Sequence, residues 1–410
     1  CFAPTHSQLA TIPARYTMGV RVASGKALVL LVSVFIICAG GGMVISPAAA
    51  EEVHLVPAVY VFGDSTVDVG NLKYLPGNFT LPYPYGIDFP LANSSRPNGR
   101  FSNGYNLADC ISRLLGFDMS PPAYLSLTPE TSGQILKGFG GANYAAGGSG
   151  ILDATGNASL PLSKQVELFA ATKAKMTEDS GDNGAQAIDA LLSRSLFLIS
   201  DGGNDMFDFF LKKRSPFEVP AFYKDLLSNY TKYVKTLYGL GARRFGVINV
   251  APIGCAPAAR ARSPFGDGYC EFFSNKLARD FDSALGDAMA NLAASLPGMK
   301  YSVGSPYQLV EYYTAHPEAA GFKVVNSACC GGGKLNAETP CGSPNTTYCA
   351  HRDEHMFWDM MHGTQATWIK GAADIYDAPV ERGFTSPINF KQLLLDDERA
   401  VSAANLLVSV

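Results

Sequence analysis

From position 58 onward one arrangement recurs: a short apolar run stops at a polar loop rich in glycine or proline. A longer stretch follows, with apolar residues every three or four positions. Residues 58–62 stop at Gly63-Asp64-Ser65, residues 196–199 stop before Asp201-Gly202-Gly203-Asn204-Asp205, and residues 244–250 stop at Ala251-Pro252. Runs this apolar have no face to turn to water, which is the condition of parallel strands covered on both sides. The stretches between them, 105–115, 162–175, 219–240 and 271–296, read as helices. In the third, Phe222, Leu226, Tyr230, Tyr233, Leu237 and Leu240 line one stripe. Strands alternating with helices give βαβ units and a doubly wound sheet, whose ligands sit at the carboxyl ends of the strands. The polar loops fall at those ends. With no internal repeat and no linker composition, the 410 residues read as one domain behind a leader.

The front of the chain follows a different pattern. The first methionine is Met18, Arg21 and Lys26 precede an apolar run over 27–38, and Ser46-Pro47-Ala48-Ala49-Ala50 offers a small-residue cleavage site. This is the order of a secretory signal, spanning about residues 18–50, with 1–17 as upstream sequence. Its apolar run is shorter than the ~18–20 residues of a membrane-spanning helix, so no stable membrane insertion is expected after cleavage. The expected division is 1–50, a domain over 51–388, and a tail over 389–410 whose helix-like pattern has no assigned role. A secreted, extracellular or cell-wall destination agrees with five Asn-x-Ser/Thr sequons, at Asn78, Asn93, Asn157, Asn229 and Asn345. Seven of the nine cysteines follow residue 50. Cys255 and Cys270 form one group, Cys329, Cys330, Cys341 and Cys349 another, and Cys110 lies alone in an apolar helical stretch. Such grouping reads as disulfides with Cys110 left free, the pairing staying open. No Cys-x-x-Cys favours a metal instead. The formal charge of −4 becomes about −7 without the first 50 residues, which argues against nucleic acid as a partner.

Ser65 follows a strand directly, and Gly63 permits a sharp turn there. If a helix began after Ser65, its N-terminus would favour a developing oxyanion. Taken alone, Asp64-Ser65-Thr66 is equally the chemistry of a helix cap. The far end of the chain changes the balance, because Asp359 lies three residues before His362. A serine hydroxyl needs a base to take its proton, and that base needs a partner to hold its tautomer. Two further segments lie between. Residues 140–150 are a run of small residues suited to close backbone approach or to a tight packing loop. Asn204 follows the second strand and offers a side-chain N–H. The pair His351 and His355, with Asp353 and Glu354, lacks the His-Glu-x-x-His order of a zinc hydrolase and reads as a solvated loop. Neither a Gly-x-Ser-x-Gly elbow nor a Walker-type phosphate loop occurs.

In order along residues 59–376, Gly63-Asp64-Ser65, Gly148 within Asn-x-Ala-x-x-Gly, Asn204 within Gly-x-Asn-Asp, and Asp359-x-x-His362 resemble the four blocks of the GDSL, or SGNH, esterases and lipases. Asp68-x-Gly70-Asn71, residues 98–104 (Asn-Gly-Arg-Phe-Ser-Asn-Gly), Pro252-x-Gly254-Cys255, Ala328-Cys329-Cys330-Gly331 and Phe357-Trp358-Asp359 resemble the secreted plant branch. The resemblance implies a flavodoxin-like three-layer α/β/α sandwich with a central, mostly parallel sheet. It implies Ser65 as nucleophile, His362 as base and then acid, and Asp359 as its orienting partner. The oxyanion hole would be formed by Ser65 N–H, Gly148 N–H and the Asn204 amide, with Gly147 beside Gly148 leaving that register open. No cofactor or metal is implied. The substrate would be an ester: an acyl lipid, a cutin-like polyester or an acetylated polysaccharide. The alternatives are acyl transfer to an acceptor other than water and a catalytically silent wall or lipid-binding protein. Three positions depart from the pattern: Thr66 stands where leucine is usual, Leu72 where asparagine is, and Gly363 where proline follows the histidine. Gly363 is expected to leave the histidine loop freer. The aromatic segments 83–85 and 206–210 are candidates for an acyl pocket or for core.

Overall fold

The computed structural model describes residues 54–90, 98–137, 140–155, 159–181, 184–263 and 269–395. The signal segment over 1–50 and the sequons at Asn93 and Asn157 lie outside them. Six strands form the central sheet: β1 (Ala58–Gly63), β2 (Gly140–Asn143), β3 (Leu196–Ser200), β4 (Arg244–Ile248), β5 (Lys300–Gly304) and β6 (Thr385–Ser386). Their order across the sheet is β6-β5-β4-β3-β1-β2, parallel except for the edge strand β6, which runs antiparallel to β5. This is the flavodoxin-like order of a doubly wound sheet, with a topological switch where β1 is flanked by β2 and β3.

The two-residue period of each strand divides its side chains between two helical layers. Tyr60, Phe62, Phe197, Ile199, Phe245 and Val247 face a layer that includes Leu162–Asp179, Val219–Gly239 and Phe272–Ser295. Val59, Val61, Leu196 and Leu198 face the other, which includes Leu107–Leu114, Pro306–Ala315 and Gln365–Asp377. The four expected helices form within a few residues of the expected bounds, because a continuous apolar stripe and a covering sheet favour the same stretch. The small-residue run 140–150 begins as a strand. Gly140 to Ala142 lie close against β1, and the chain leaves the sheet after Asn143.

The packed body also runs past the expected boundary at 388. Asn389 caps a short helix, Phe390–Leu394, in which Phe390 and Leu393 are fully buried. The reason lies in β4: Gly246 has no side chain, and a Cβ there would come 2.8 Å from the Phe390 ring. The aromatic ring fills the space that the glycine leaves on that face of the sheet.

Three disulfides close the loops that the sequence grouped: Cys255–Cys270, Cys329–Cys349 and Cys330–Cys341. Cys110 is buried as a free thiol. Among the sequons, Asn78 and Asn345 are exposed, while Asn229 is half-buried within the helix Val219–Gly239. No helix of the described residues is long and apolar enough to cross a membrane.

Phe390→Ala leaves a ring-sized void beside β4, and urea denaturation is expected to register a loss of about 3–5 kcal/mol. A loss below about 1 kcal/mol would place residues 389–395 outside the cooperative core.

Candidate active site

Ser65 lies in a turn immediately beyond β1, closed by the N–H groups of Val67 and Asp68 donating to the Asp64 carbonyl at 3.2 and 3.0 Å. No regular helix follows, so the helix N-terminus considered for this site does not form. What fixes the turn is the neighbouring strand. Asp64 N–H donates to Ser200 O at 3.0 Å, and Gly63, at φ 142°, passes so close that a Cβ would sit 1.9 Å from that same oxygen. Thr66, in place of leucine, donates through Oγ1 to Asp64 Oδ1 at 2.7 Å and shares a 2.8 Å hydrogen bond with Ser200 Oγ. The substitution thus ties the turn to β3.

His362 arrives from 297 residues away, with Nε2 at 2.8 Å from Ser65 Oγ. Its Nδ1 lies 2.8 Å from Asp359 Oδ2 and 3.0 Å from Oδ1. A proton on Nδ1 facing the carboxylate leaves Nε2 to accept from the Ser65 hydroxyl. All three residues are buried. The turn carrying Asp359 and His362 is closed by its own carboxylate, since Oδ1 accepts from Met361 N–H at 2.8 Å and His362 N–H at 2.7 Å. Gly363 is bracketed by order. Trp358 N–H donates to His362 O at 2.7 Å, Phe357 bridges Gly363, and Thr364 caps the helix Gln365–Asp377.

The small-residue block brings Gly148 to the same place. Gly147 N–H donates to Asp68 Oδ2 at 2.8 Å, whereas the N–H groups of Gly148 and Ser65 meet no protein acceptor among the described residues. Asn204 sits in the first turn of the helix Gly203–Leu211, and its Nδ2 donates one hydrogen to Ser149 O at 2.8 Å. Sequence reasoning passed over Gln165. Buried in the helix Leu162–Asp179, it accepts from Gly63 N–H at 2.8 Å and donates to Gly63 O at 2.9 Å, Ser149 Oγ at 3.0 Å and Leu160 O at 2.8 Å. One amide thus joins the Ser65 turn to the Gly148 loop, a contact across 102 residues that no local pattern announces.

Buried charge is balanced within the site. For His362 burial works against the imidazolium, but the Asp359 carboxylate and, behind it, Asp64 outweigh it and hold the ring above its ordinary pKa. For Asp359 burial would raise the carboxyl, yet the His362 charge and the bonds from His362, Tyr85 and Met361 bring it below the ordinary range. Burial pushes Asp64 up, and it pushes Asp201 well up with added repulsion from Asp64 and Asp205.

A cavity of about 100 Å³ opens over Ser65, His362 and Asn204, walled by Phe207, Ile253 and Trp368. A second, of about 360 Å³, begins at Gly148 and Asn204 and runs along Phe207, Phe210, Leu211, Ala258 and Met361. The candidate aromatic segments therefore divide. Met206 and Phe209 are core, Phe207 and Phe210 line the cavities, Tyr83 is exposed, and Tyr85 is buried with its hydroxyl on Asp359. His355 Nδ1 lies on His351 O, and Glu354 pairs with Lys323.

A doubly wound sheet whose carboxyl edge carries a serine, met there by a histidine and an aspartate from a separate turn in one hydrogen-bonded line, has the arrangement of a hydrolase. The sequence pattern of the GDSL-like lipase/acylhydrolase family matches residues 59–370. A GDSL esterase/lipase of Arabidopsis thaliana is 36% identical over 363 residues, covering 85% of this chain and 92% of the relative. The GDSL esterase/lipase APG of the same plant is 34% identical over 320 residues, covering 76% of this chain and 88% of the relative. The chain belongs to the GDSL esterase/lipase family, enzymes of carboxylic ester hydrolysis.

Gly63→Ala forces its Cβ against the Ser200 carbonyl in a backbone region that L side chains rarely adopt. The expected outcome is a lowered melting temperature together with lost turnover of p-nitrophenyl esters. Unchanged values for both would refute the pinning of the turn.

Proposed function

We propose that this chain is a secreted serine esterase in which Ser65, His362 and Asp359 form the reacting triad. The observation that carries the reading is the unbroken line from Asp359 through His362 Nδ1 and Nε2 to Ser65 Oγ, each step 2.8 Å. Ser65 Oγ attacks the ester carbonyl as His362 Nε2 takes its proton, and Asp359 stabilises the imidazolium that results. The oxyanion is received by the Ser65 and Gly148 N–H groups and the second Nδ2 hydrogen of Asn204, the three donors that the site leaves unspent. His362 then protonates the departing alcohol. Water attacks the Ser65 ester as His362 takes its proton, and His362 returns that proton to Ser65 Oγ as the acid leaves. The disulfides suit an oxidising compartment, and with the secretory pattern at the front they support an extracellular or cell-wall location.

The mainly apolar wall of the larger cavity supports an aliphatic chain in the substrate. That favours an acyl lipid or an aliphatic polyester over an acetylated polysaccharide.

Ser65→Ala is expected to cut p-nitrophenyl butyrate turnover by at least about a thousandfold and to abolish fluorophosphonate labelling; wild-type turnover would sink the nucleophile assignment. His362 must be neutral to act as base, so its raised pKa puts the acidic limb of kcat/KM above pH 6.5, with activity rising as pH increases. Asp359→Asn removes the charge that raises it. That limb is expected to move to lower pH while kcat falls by about 10,000-fold. A charge on the chain-binding wall, as in Leu211→Glu, is expected to lower octanoate turnover relative to acetate by about tenfold. An unchanged ratio would remove the aliphatic chain from that cavity.

A further inference from the structure

The residue that this triad leans on beyond its three members is a tyrosine far away in sequence. Tyr85 OH donates to Asp359 Oδ2 at 2.6 Å, across 274 residues. It does so on the same oxygen that His362 Nδ1 meets at 2.8 Å, whereas the backbone N–H groups of Met361 and His362 go to Oδ1. Oδ2 therefore has two partners, one reacting and one not. The phenol is a donor at any working pH, because burial, with the Asp359 charge and the bond to it, pushes its ionisation far up.

Tyr85 is held in place independently of that bond. Its ring lies edge-on to Trp358 and Phe101, and Phe101 in turn lies 4.9 Å from the His362 ring. Asp88 forms a two-point pair with Arg352 at 2.6 and 2.8 Å, joining the tyrosine loop to the segment that leads into the histidine turn. Asp88 N–H donates to Asn103 O at 2.7 Å, and Asn103 Oδ1 accepts from Gln365 N–H at 2.8 Å, just beyond the same turn. The hydroxyl is thus presented to Asp359 by a frame that grips the acid–base turn from both sides.

We propose that Tyr85 is a positioning residue of the catalytic apparatus: its hydroxyl holds the Asp359 carboxylate in line with His362 and draws part of the negative charge of Oδ2 away from the imidazole. The proposal rests on the triad reading above. Its sign follows from the groups that face His362, namely Asp359 on its own turn, Asp64 beside Ser65, and Asp201 behind Asp64; Asp88 and Arg352 neutralise one another. Removing the Tyr85 hydroxyl leaves Oδ2 more negative, which binds the imidazolium proton more firmly and raises the pH at which His362 becomes a free base. The lost hydrogen bond is one to a charged group, the stronger kind.

The test is Tyr85→Phe, which keeps the ring and its packing. The expected result on p-nitrophenyl butyrate is a fall in kcat of about ten- to a hundredfold with KM little changed. The acidic limb of kcat/KM is expected to move upward by about half a pH unit. In the Asp359→Asn background, where no carboxylate remains to be held, the same substitution is expected to slow fluorophosphonate labelling of Ser65 by less than about threefold. A kcat and a limb equal to wild type overturn the proposal. An equal slowing of labelling with and without the Asp359 carboxylate does so too, because that is what a merely structural ring contributes. Ser65→Ala, assayed alongside, separates the causes. If it keeps wild-type turnover the triad reading fails and takes the proposal with it; if it is inactive while Tyr85→Phe matches wild type, only the role of Tyr85 is refuted.

Discussion

A carboxylate taken out of water is the constraint from which the rest of the site follows. Asp359 is 2% exposed, and a buried ion is tolerated only where hydrogen bonds replace its lost solvation. Here they come from Met361 N–H, His362 N–H, His362 Nδ1 and Tyr85 OH. Two of these donors belong to the backbone of a turn that closes on its own side chain, so the aspartate shapes the loop that presents the histidine. The fourth belongs to a loop near the start of the domain. The histidine is thereby a member of the same balance that makes the buried charge acceptable.

The two halves of the site are built by different means. The Ser65 turn, the Gly148 loop and Asn204 hang from the carboxyl ends of β1, β2 and β3, a sheet covered on both faces. The Asp359–His362 turn does not belong to that sheet. It follows a segment in which Val324–Ala328 pairs with His355–Phe357 and Cys330–Gly331 with Thr347–Tyr348. The bridges Cys329–Cys349 and Cys330–Cys341 tie the segment together, each worth about 3 kcal/mol by restricting the unfolded chain. Their half-cystines pack around Trp358 with Leu81 and Tyr85. Such a segment is too irregular to hold a turn by secondary structure alone, and the cross-links with the buried indole do so instead. The open conformation that Gly363 permits is not used, since hydrogen bonds hold both of its flanks.

Much of this was legible before any coordinates. Short apolar runs of four to seven residues announced β1, β3 and β4, because a parallel strand buried on both faces has no polar side to blur the signal. β2 and β5 are weaker as text: β2 is glycine and alanine against a neighbouring strand, and β5 carries Lys300 and Tyr301 towards the edge of the sheet. The start of the helix Gly203–Leu211 read as a polar loop because two glycines open it, and the helix-like pattern from Asn389 read as a tail because nothing local shows that Phe390 packs against β4.

Along the site the division is sharper. The sequence by itself determined which groups are available, a serine after a strand, an asparagine after another, and an aspartate three residues before a histidine, since those depend on composition and short spacing. Tertiary structure alone decided that Gly147 rather than Gly148 spends its N–H on Asp68, that Gln165 joins two loops 102 residues apart, and that Tyr85 meets Asp359 rather than lining a pocket. The physical reason is that hydrogen bonding is a matter of angstroms between atoms, while chain spacing constrains those distances only within a turn or two. Beyond that range the packing of the sheet, the helices and the disulfide-linked segment sets every distance on which the chemistry depends.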